Sequence, residues 1–167
     1  GEPLLLNRGG KEVILPAVSR DGKTIAFVES IISLNILGLR ISEGQTTDKL
    51  LFGSPKSDNS PTFSPDGKKI AYISDLTGNF EVWLADEDGK NQKQLTSARH
   101  SAGSPRFSPD GKYIAYGSKA SNKTQVFIVP TDGSEVPRNL TPNENKAMIP
   151  SWSADGKFIY FTSNRTG

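Results

Sequence analysis

The chain has 167 residues, of which 34% are hydrophobic and 23% charged, and its formal net charge is +2. This balance excludes an acidic disordered chain and a strongly basic arm that binds nucleic acid. The absence of cysteine excludes a disulfide scaffold, and a single histidine excludes a His-rich metal centre within one chain. No apolar run approaches the ~18 residues needed to cross a bilayer. We therefore expect neither a membrane span nor a nucleic-acid partner.

A nine-residue pattern of the type Ser-Pro-Asp-Gly-Lys-x-Ile-Ala-Tyr occurs four times, and a proline lies three residues before each copy. The Asp residues of the four copies are 45, 44 and 45 positions apart. Self-similarity at a constant period indicates a repeat architecture. The turn residues of the pattern are Asp21-Gly22, Asp66-Gly67, Asp110-Gly111 and Asp155-Gly156.

Each repeat reads as four short strands, here called A to D. The Asp-Gly pair predicts a hairpin between strands A and B, because Gly accepts a positive φ. The apolar run that follows predicts a buried strand B, and segments such as 80–84 predict strand C. Four strands per ~44 residues are typical of a propeller blade. A β-sandwich has similar turn spacing but does not explain the long period.

The sequence therefore predicts a single all-β domain, a β-propeller of about four blades. The blade-like units are expected at about 8–52, 53–96, 97–141 and 142–167, and an additional outer strand at about 3–7. The last unit stops before its strand C, so its blade is incomplete, and an unpaired strand edge is a liability. Either the chain is a fragment of a longer propeller, or a second copy completes the ring as a homo-oligomer.

The repeat resembles the propeller repeat of the TolB family. Similar repeats occur in propellers of prolyl-oligopeptidase-type peptidases, the tricorn protease, oligogalacturonate lyase and sensors fused to bacterial winged-helix regulators. The resemblance implies a non-enzymatic module for protein–protein interaction, a periplasmic or cell-envelope location, and an envelope lipoprotein as a partner. The alternatives are the substrate-gating propeller of a peptidase or a ligand-sensing propeller of a regulator. Two units depart from the pattern, with Arg20 and Ala154 in place of proline.

The sequence offers no catalytic constellation. It has no Gly-x-Ser-x-Gly elbow and no phosphate-binding glycine loop. We expect the four repeated Asp residues to stabilise their turns rather than bind metal, because a functional site usually breaks the symmetry of a repeat. His100 alone does not form a metal site. No enzyme activity, catalytic residue, metal or cofactor is predicted.

The candidate partner-binding residues lie in loops at one end of the units. The D–A loops lead into the innermost strands, so their basic side chains are expected around the mouth of the axis, where they would attract an acidic partner surface. The apolar side chains in the B–C turn of the first unit are expected to contact a partner or a neighbouring blade, or to pack under a loop. The candidates are Lys11, Lys56, Arg99, His100 and Lys146 in the D–A loops, and Ile31, Ile32 and Leu34 in the B–C turn.

Overall fold

The computed structural model describes residues 12–30, 34–42, 45–52 and 54–165. Within these residues the chain forms three four-stranded antiparallel sheets followed by a two-stranded sheet. Each sheet corresponds to one sequence repeat, and the predicted all-β architecture of a partial propeller is confirmed. The described part of the chain contains no helix that is long and apolar enough to span a membrane.

The strands of the first two sheets pair in chain order, each with the next. The first sheet contains β1 (Glu12–Val18), β2 (Thr24–Ser30), β3 (Leu34–Ser42) and β4 (Gln45–Phe52). The second sheet contains β5 (Asp58–Phe63), β6 (Lys69–Ser74), β7 (Glu81–Asp86) and β8 (Lys93–Gln94).

The last two sheets repeat this order, and the fourth contains only the first two strands of a blade. The third sheet contains β9 (Ser101–Phe107), β10 (Tyr113–Ala120), β11 (Lys123–Pro130) and β12 (Arg138–Asn139). The fourth sheet contains β13 (Ala147–Trp152) and β14 (Ile159–Ser163). The outer strand expected at residues 3–7 lies outside the described residues.

The proline before each repeat lies at a β-bulge of the innermost strand. The pairing of strand A with strand B shifts register there in all four sheets. In the last three sheets the residue before the proline has a positive φ, at Ser60, Ser104 and Ile149. Proline has no N–H to donate to the ladder, so a bulge is one of the few places where a strand tolerates it. This requirement explains why proline recurs at a fixed distance from each turn.

The core lies between successive sheets. Strand β6 shows the arrangement, because its alternate residues pack against different neighbours. Ile70 and Tyr72 join the cluster shared with the first sheet, whereas Ala71 and Ile73 join the cluster shared with the third. A strand that is buried on both faces reads as a continuous apolar run, as strand B does here. Innermost strands complete the packing, since β5, β9 and β13 each lie against the preceding sheet.

The A–B turns also join neighbouring blades. A Cβ atom placed on Gly111 would lie 3.6 Å from the ring of Pro65, and one on Gly156 would lie 3.7 Å from Pro109. The turn of one repeat therefore packs its proline against the glycine of the next. Arg20 replaces this proline in the first repeat, and its Nη1 donates a hydrogen bond to the Pro65 carbonyl oxygen at 3.2 Å.

Truncation of the core tests this packing. Ile114 is fully buried in the cluster between the second and third sheets. We expect Ile114→Ala to lower the free energy of unfolding by about 2–5 kcal/mol, because it leaves a cavity. Urea denaturation of the chain measures the loss. Val136→Ala is the control, because Val136 is 84% exposed and its truncation should change stability by less than about 0.5 kcal/mol. Equal effects of both substitutions would contradict the assigned core.

Candidate interaction surface

Two sets of loops meet at one end of the blades. The D–A and B–C loops contact each other through short hydrogen bonds, in which Ser57 N donates to Asp75 Oδ1 at 2.7 Å and Ala102 N donates to Phe80 O at 2.7 Å. We call this end the loop face, and it comprises residues 54–58, 75–81, 95–100, 121–122, 140–146 and 164–165. The opposite end, the turn face, carries the A–B and C–D turns.

The candidate residues of the D–A loops that the structure describes all lie on the loop face. They are exposed and occupy three successive D–A loops. Lys11, Ile31 and Ile32 lie outside the described residues, so their roles stay predictions. The described members are Lys56, Arg99, His100 and Lys146.

Leu34 lies in a strand rather than in the B–C turn itself. It is the first residue of β3 and is half-buried. Its side chain packs against the cluster between the first and second sheets, which includes Ile36 and Trp83. Of the alternatives predicted for Leu34, contact with a neighbouring blade is therefore the one observed, and contact with a partner stays a prediction. The aromatic side chains of Trp83, Phe107 and Phe127 also lie in the clusters between the blades.

The carboxylates of the loop face are buried or held by neighbours. Glu81 is 2% exposed, and its two oxygens accept hydrogen bonds from Thr96 Oγ1 and Arg99 N. Glu144 binds Arg165 Nη2 at 2.5 Å and accepts a hydrogen bond from Ser163 Oγ at 2.7 Å. Since the acids are withdrawn and the cations project, the charge that this face presents to solvent is positive.

Asp58 is a buried acid that the sequence reading missed. It is 1% exposed at the start of the innermost strand β5, and its Oδ2 has no hydrogen-bond partner among the described residues. Burial raises the pKa of this carboxyl group, although hydrogen bonds from Ser74 and Ser54 act in the opposite direction. Comparison of the repeats could have identified Asp58 as an exception, because the equivalent positions in the other units hold apolar residues, Val13, Ala102 and Ala147.

The repeated Asp residues each bind within their own turn. In the third repeat Asp110 Oδ1 accepts hydrogen bonds from Ser108 Oγ at 2.6 Å and from Lys112 N at 3.1 Å. The Ser hydroxyl, followed by the Lys backbone N–H, lowers the pKa of the Asp carboxyl in all four repeats. Among the described residues no group of three or more potential ligands could hold a metal ion.

A groove of about 640 Å³ lies between the second and third blades on the turn face. Leu84 and Phe107 contribute its apolar lining, and Asp66, Asp110 and three basic side chains contribute its polar lining. These two Asp carboxylates, and that of Asp132, which also lines the groove, accept hydrogen bonds within their own turns. The groove therefore combines both signs of charge and brings no free acid–base pair together.

These observations define the protein as part of a β-propeller with a basic loop face. The chain belongs to the TolB beta propeller domain family, whose match covers residues 2–167. Comparison with curated proteins found no significant match.

Solved structures share this fold. TolB from Acinetobacter baumannii is 27% identical with a TM-score of 0.80, over 94% of this chain and 39% of that one. A protein assigned as TolB from Agrobacterium tumefaciens is 23% identical with a TM-score of 0.76, over 93% of this chain and 60% of that one. A puromycin-hydrolyzing peptidase of Mycobacterium tuberculosis is 21% identical with a TM-score of 0.69, over 88% of this chain and 26% of that one. The chain thus spans less than two thirds of each of these proteins.

The buried carboxyl group predicts a specific dependence of stability on pH. Because the pKa of Asp58 is raised on folding, its contribution to stability is most favourable below the unfolded-state value of about 3.9 and is lost as pH rises through the folded-state pKa. We expect Asp58→Ala to gain stability relative to the parent chain as pH rises from about 4 to 7. Ala102 and Ala147 show that the fold accepts alanine at this position.

Thermal unfolding of both chains across this pH range measures the effect. Asp66→Ala is the matched comparison, because the pKa of Asp66 is lowered on folding. Its contribution is present above the unfolded-state pKa of about 3.9 and is lost in acid. This variant should therefore lose stability relative to the parent chain as pH rises from about 2 to 5, so the thermal unfolding of this pair is measured down to about pH 2. A parallel response of the two variants would contradict the environment assigned to Asp58.

Proposed function

We propose that this chain is a non-enzymatic propeller module that binds an acidic segment of a protein partner through its loop face. The observation that carries the proposal is the segregation of charge at this face. Lys56, Arg99, His100 and Lys146 are exposed, whereas Glu81 and Asp58 are buried and Glu144 is paired. A surface of one charge sign raises the association rate of an oppositely charged partner and disfavours partners of like charge.

A binding role agrees with the chemistry of the described residues. The carboxylates of Glu81 and of the four repeated turn Asp residues are engaged in structural hydrogen bonds. Rigid blades hold the loops, so little conformational entropy is lost when a partner docks. Membership in the TolB propeller family supports a partner in the bacterial envelope and a periplasmic location for the module.

Charge reversal on the loop face tests the proposal. We expect Lys56→Glu combined with Arg99→Glu to weaken binding of a fluorescein-labelled hexaglutamate peptide by about tenfold or more, because like charges then face each other. Fluorescence anisotropy at low ionic strength measures the affinity, which should also fall in the parent chain as salt is added.

The control is Lys68→Glu combined with Lys112→Glu. Both lysines are exposed on the turn face, and this pair changes the net charge of the chain by the same amount. The control should retain most of the affinity. If the two pairs weaken binding equally, the peptide responds to net charge alone and the loop face is not the binding surface.

A further inference from the structure

One position of strand C contacts the following D–A loop in two neighbouring units, but with opposite hydrogen-bonding chemistry. This position directly precedes a fully buried valine, Val82 or Val126. It holds a carboxylate in the second unit, Glu81, and an amide in the third, Gln125. A carboxylate can only accept hydrogen bonds when ionised, whereas an amide can also donate them.

One side chain binds a backbone donor of the loop, and the other binds backbone acceptors. Glu81 Oε1 accepts a hydrogen bond from Arg99 N at 2.9 Å. In the third unit, Gln125 Nε2 donates to the carbonyl oxygens of Pro142, at 2.8 Å, and Glu144, at 3.1 Å. Arg99 and Glu144 are equivalent residues, because each lies six positions before the proline of its blade. In the second unit the carboxylate of Glu81 thus binds a backbone N–H group of the loop, and in the third unit the amide of Gln125 binds backbone C=O groups.

The loops also present different charges. Arg99 has a φ of 56° and an exposed side chain. A non-glycine residue in this left-handed region is strained, so the conformation needs a compensating contact. The equivalent Glu144 has a side chain that is only 13% exposed and is paired with Arg165. The loop bound by Glu81 therefore exposes the cation Arg99 to solvent, whereas the loop bound by Gln125 keeps Glu144 largely buried.

We infer that Glu81 is a positioning residue of the loop face: its carboxylate holds the Arg99 amide inward and so fixes the loop that presents Arg99 and His100. The role in partner binding rests on the proposed function, but the positioning of the loop does not. The same chain supplies the opposite design in its third unit, where Gln125 Oε1 accepts a hydrogen bond from Asn139 Nδ2 at 3.0 Å and the amide nitrogen is turned to the loop.

The experiment transfers the third-unit pattern to the second unit. Gln94 is equivalent to Asn139, since each precedes the Leu-Thr pair of its strand D. In Glu81→Gln with Gln94→Asn, the new amide nitrogen should face the loop, and Arg99 N should lose its acceptor. Amide hydrogen exchange measured by NMR on the 167-residue chain should show a protected Arg99 amide in the parent. We expect its exchange to be about tenfold or more faster in the double variant.

The control is Gln94→Asn alone, which keeps the carboxylate and should leave the Arg99 amide protected. Unfolding of the double variant is detected in the same spectra by exchange at Val82 and Val126. An unprotected Arg99 amide in the parent chain overturns the inference without any variant, as does unchanged protection in a folded double variant.

Affinity for the hexaglutamate peptide separates the two proposals. Faster exchange at Arg99 together with weaker binding supports both of them. Faster exchange with unchanged binding supports the positioning role of Glu81 and counts against Arg99 as part of the binding surface. Exchange of the Arg99 amide can be unchanged in the double variant while charge reversal at Lys56 and Arg99 still weakens binding. That result would support the loop face as the binding surface and contradict the positioning role of Glu81.

Discussion

The structure depends on one constraint, that every sheet has two apolar faces and both must be removed from water. In β6, Ile70 and Tyr72 pack towards the preceding blade, whereas Ala71 and Ile73 pack towards the following one. A single blade would leave both of these sets in solvent, which is why repeat proteins are stable only as stacks. The third sheet repeats the arrangement, because its Ile114 and Tyr116 pack in the cluster shared with the second sheet.

Repetition separates architecture from candidate function. The hydrogen bonds of Asp110 within its turn occur equally at Asp21, Asp66 and Asp155, so these residues stabilise every blade alike. The informative residues are the departures. Asp58 lies where other units have Val or Ala, and Glu81 lies where the third unit has an amide. Both departures lie at the loop face, where buried carboxylates change the environment of the exposed loops.

Sequence reasoning reached the blade architecture because its signals are local. An Asp-Gly hairpin and a following apolar run need no distant contact to be read. It left open whether Leu34 contacts a partner or a neighbouring blade, although the equivalent residue in the second unit, Phe80, is also half-buried and packs against an inter-blade cluster. Comparison of the repeats position by position would have favoured the neighbouring blade. The hydrogen bond from Arg99 N to Glu81 could not be predicted, because it depends on which way a loop peptide turns.

The charge of the loop face arises from burial rather than composition. A net charge of +2 gives no indication of a basic surface, and on the turn face acids and bases lie close together, as Lys69 and Asp86 do at 2.6 Å. At the loop face the acids are present in the sequence but are withdrawn into hydrogen bonds with hydroxyl and backbone N–H groups. The partners of Glu81 are neutral, so Lys56 and Arg99 stay available to solvent, whereas Glu144 pairs with the cation Arg165. A fold can thus build a basic surface beside acidic residues, provided that its backbone and hydroxyl groups satisfy the carboxylates.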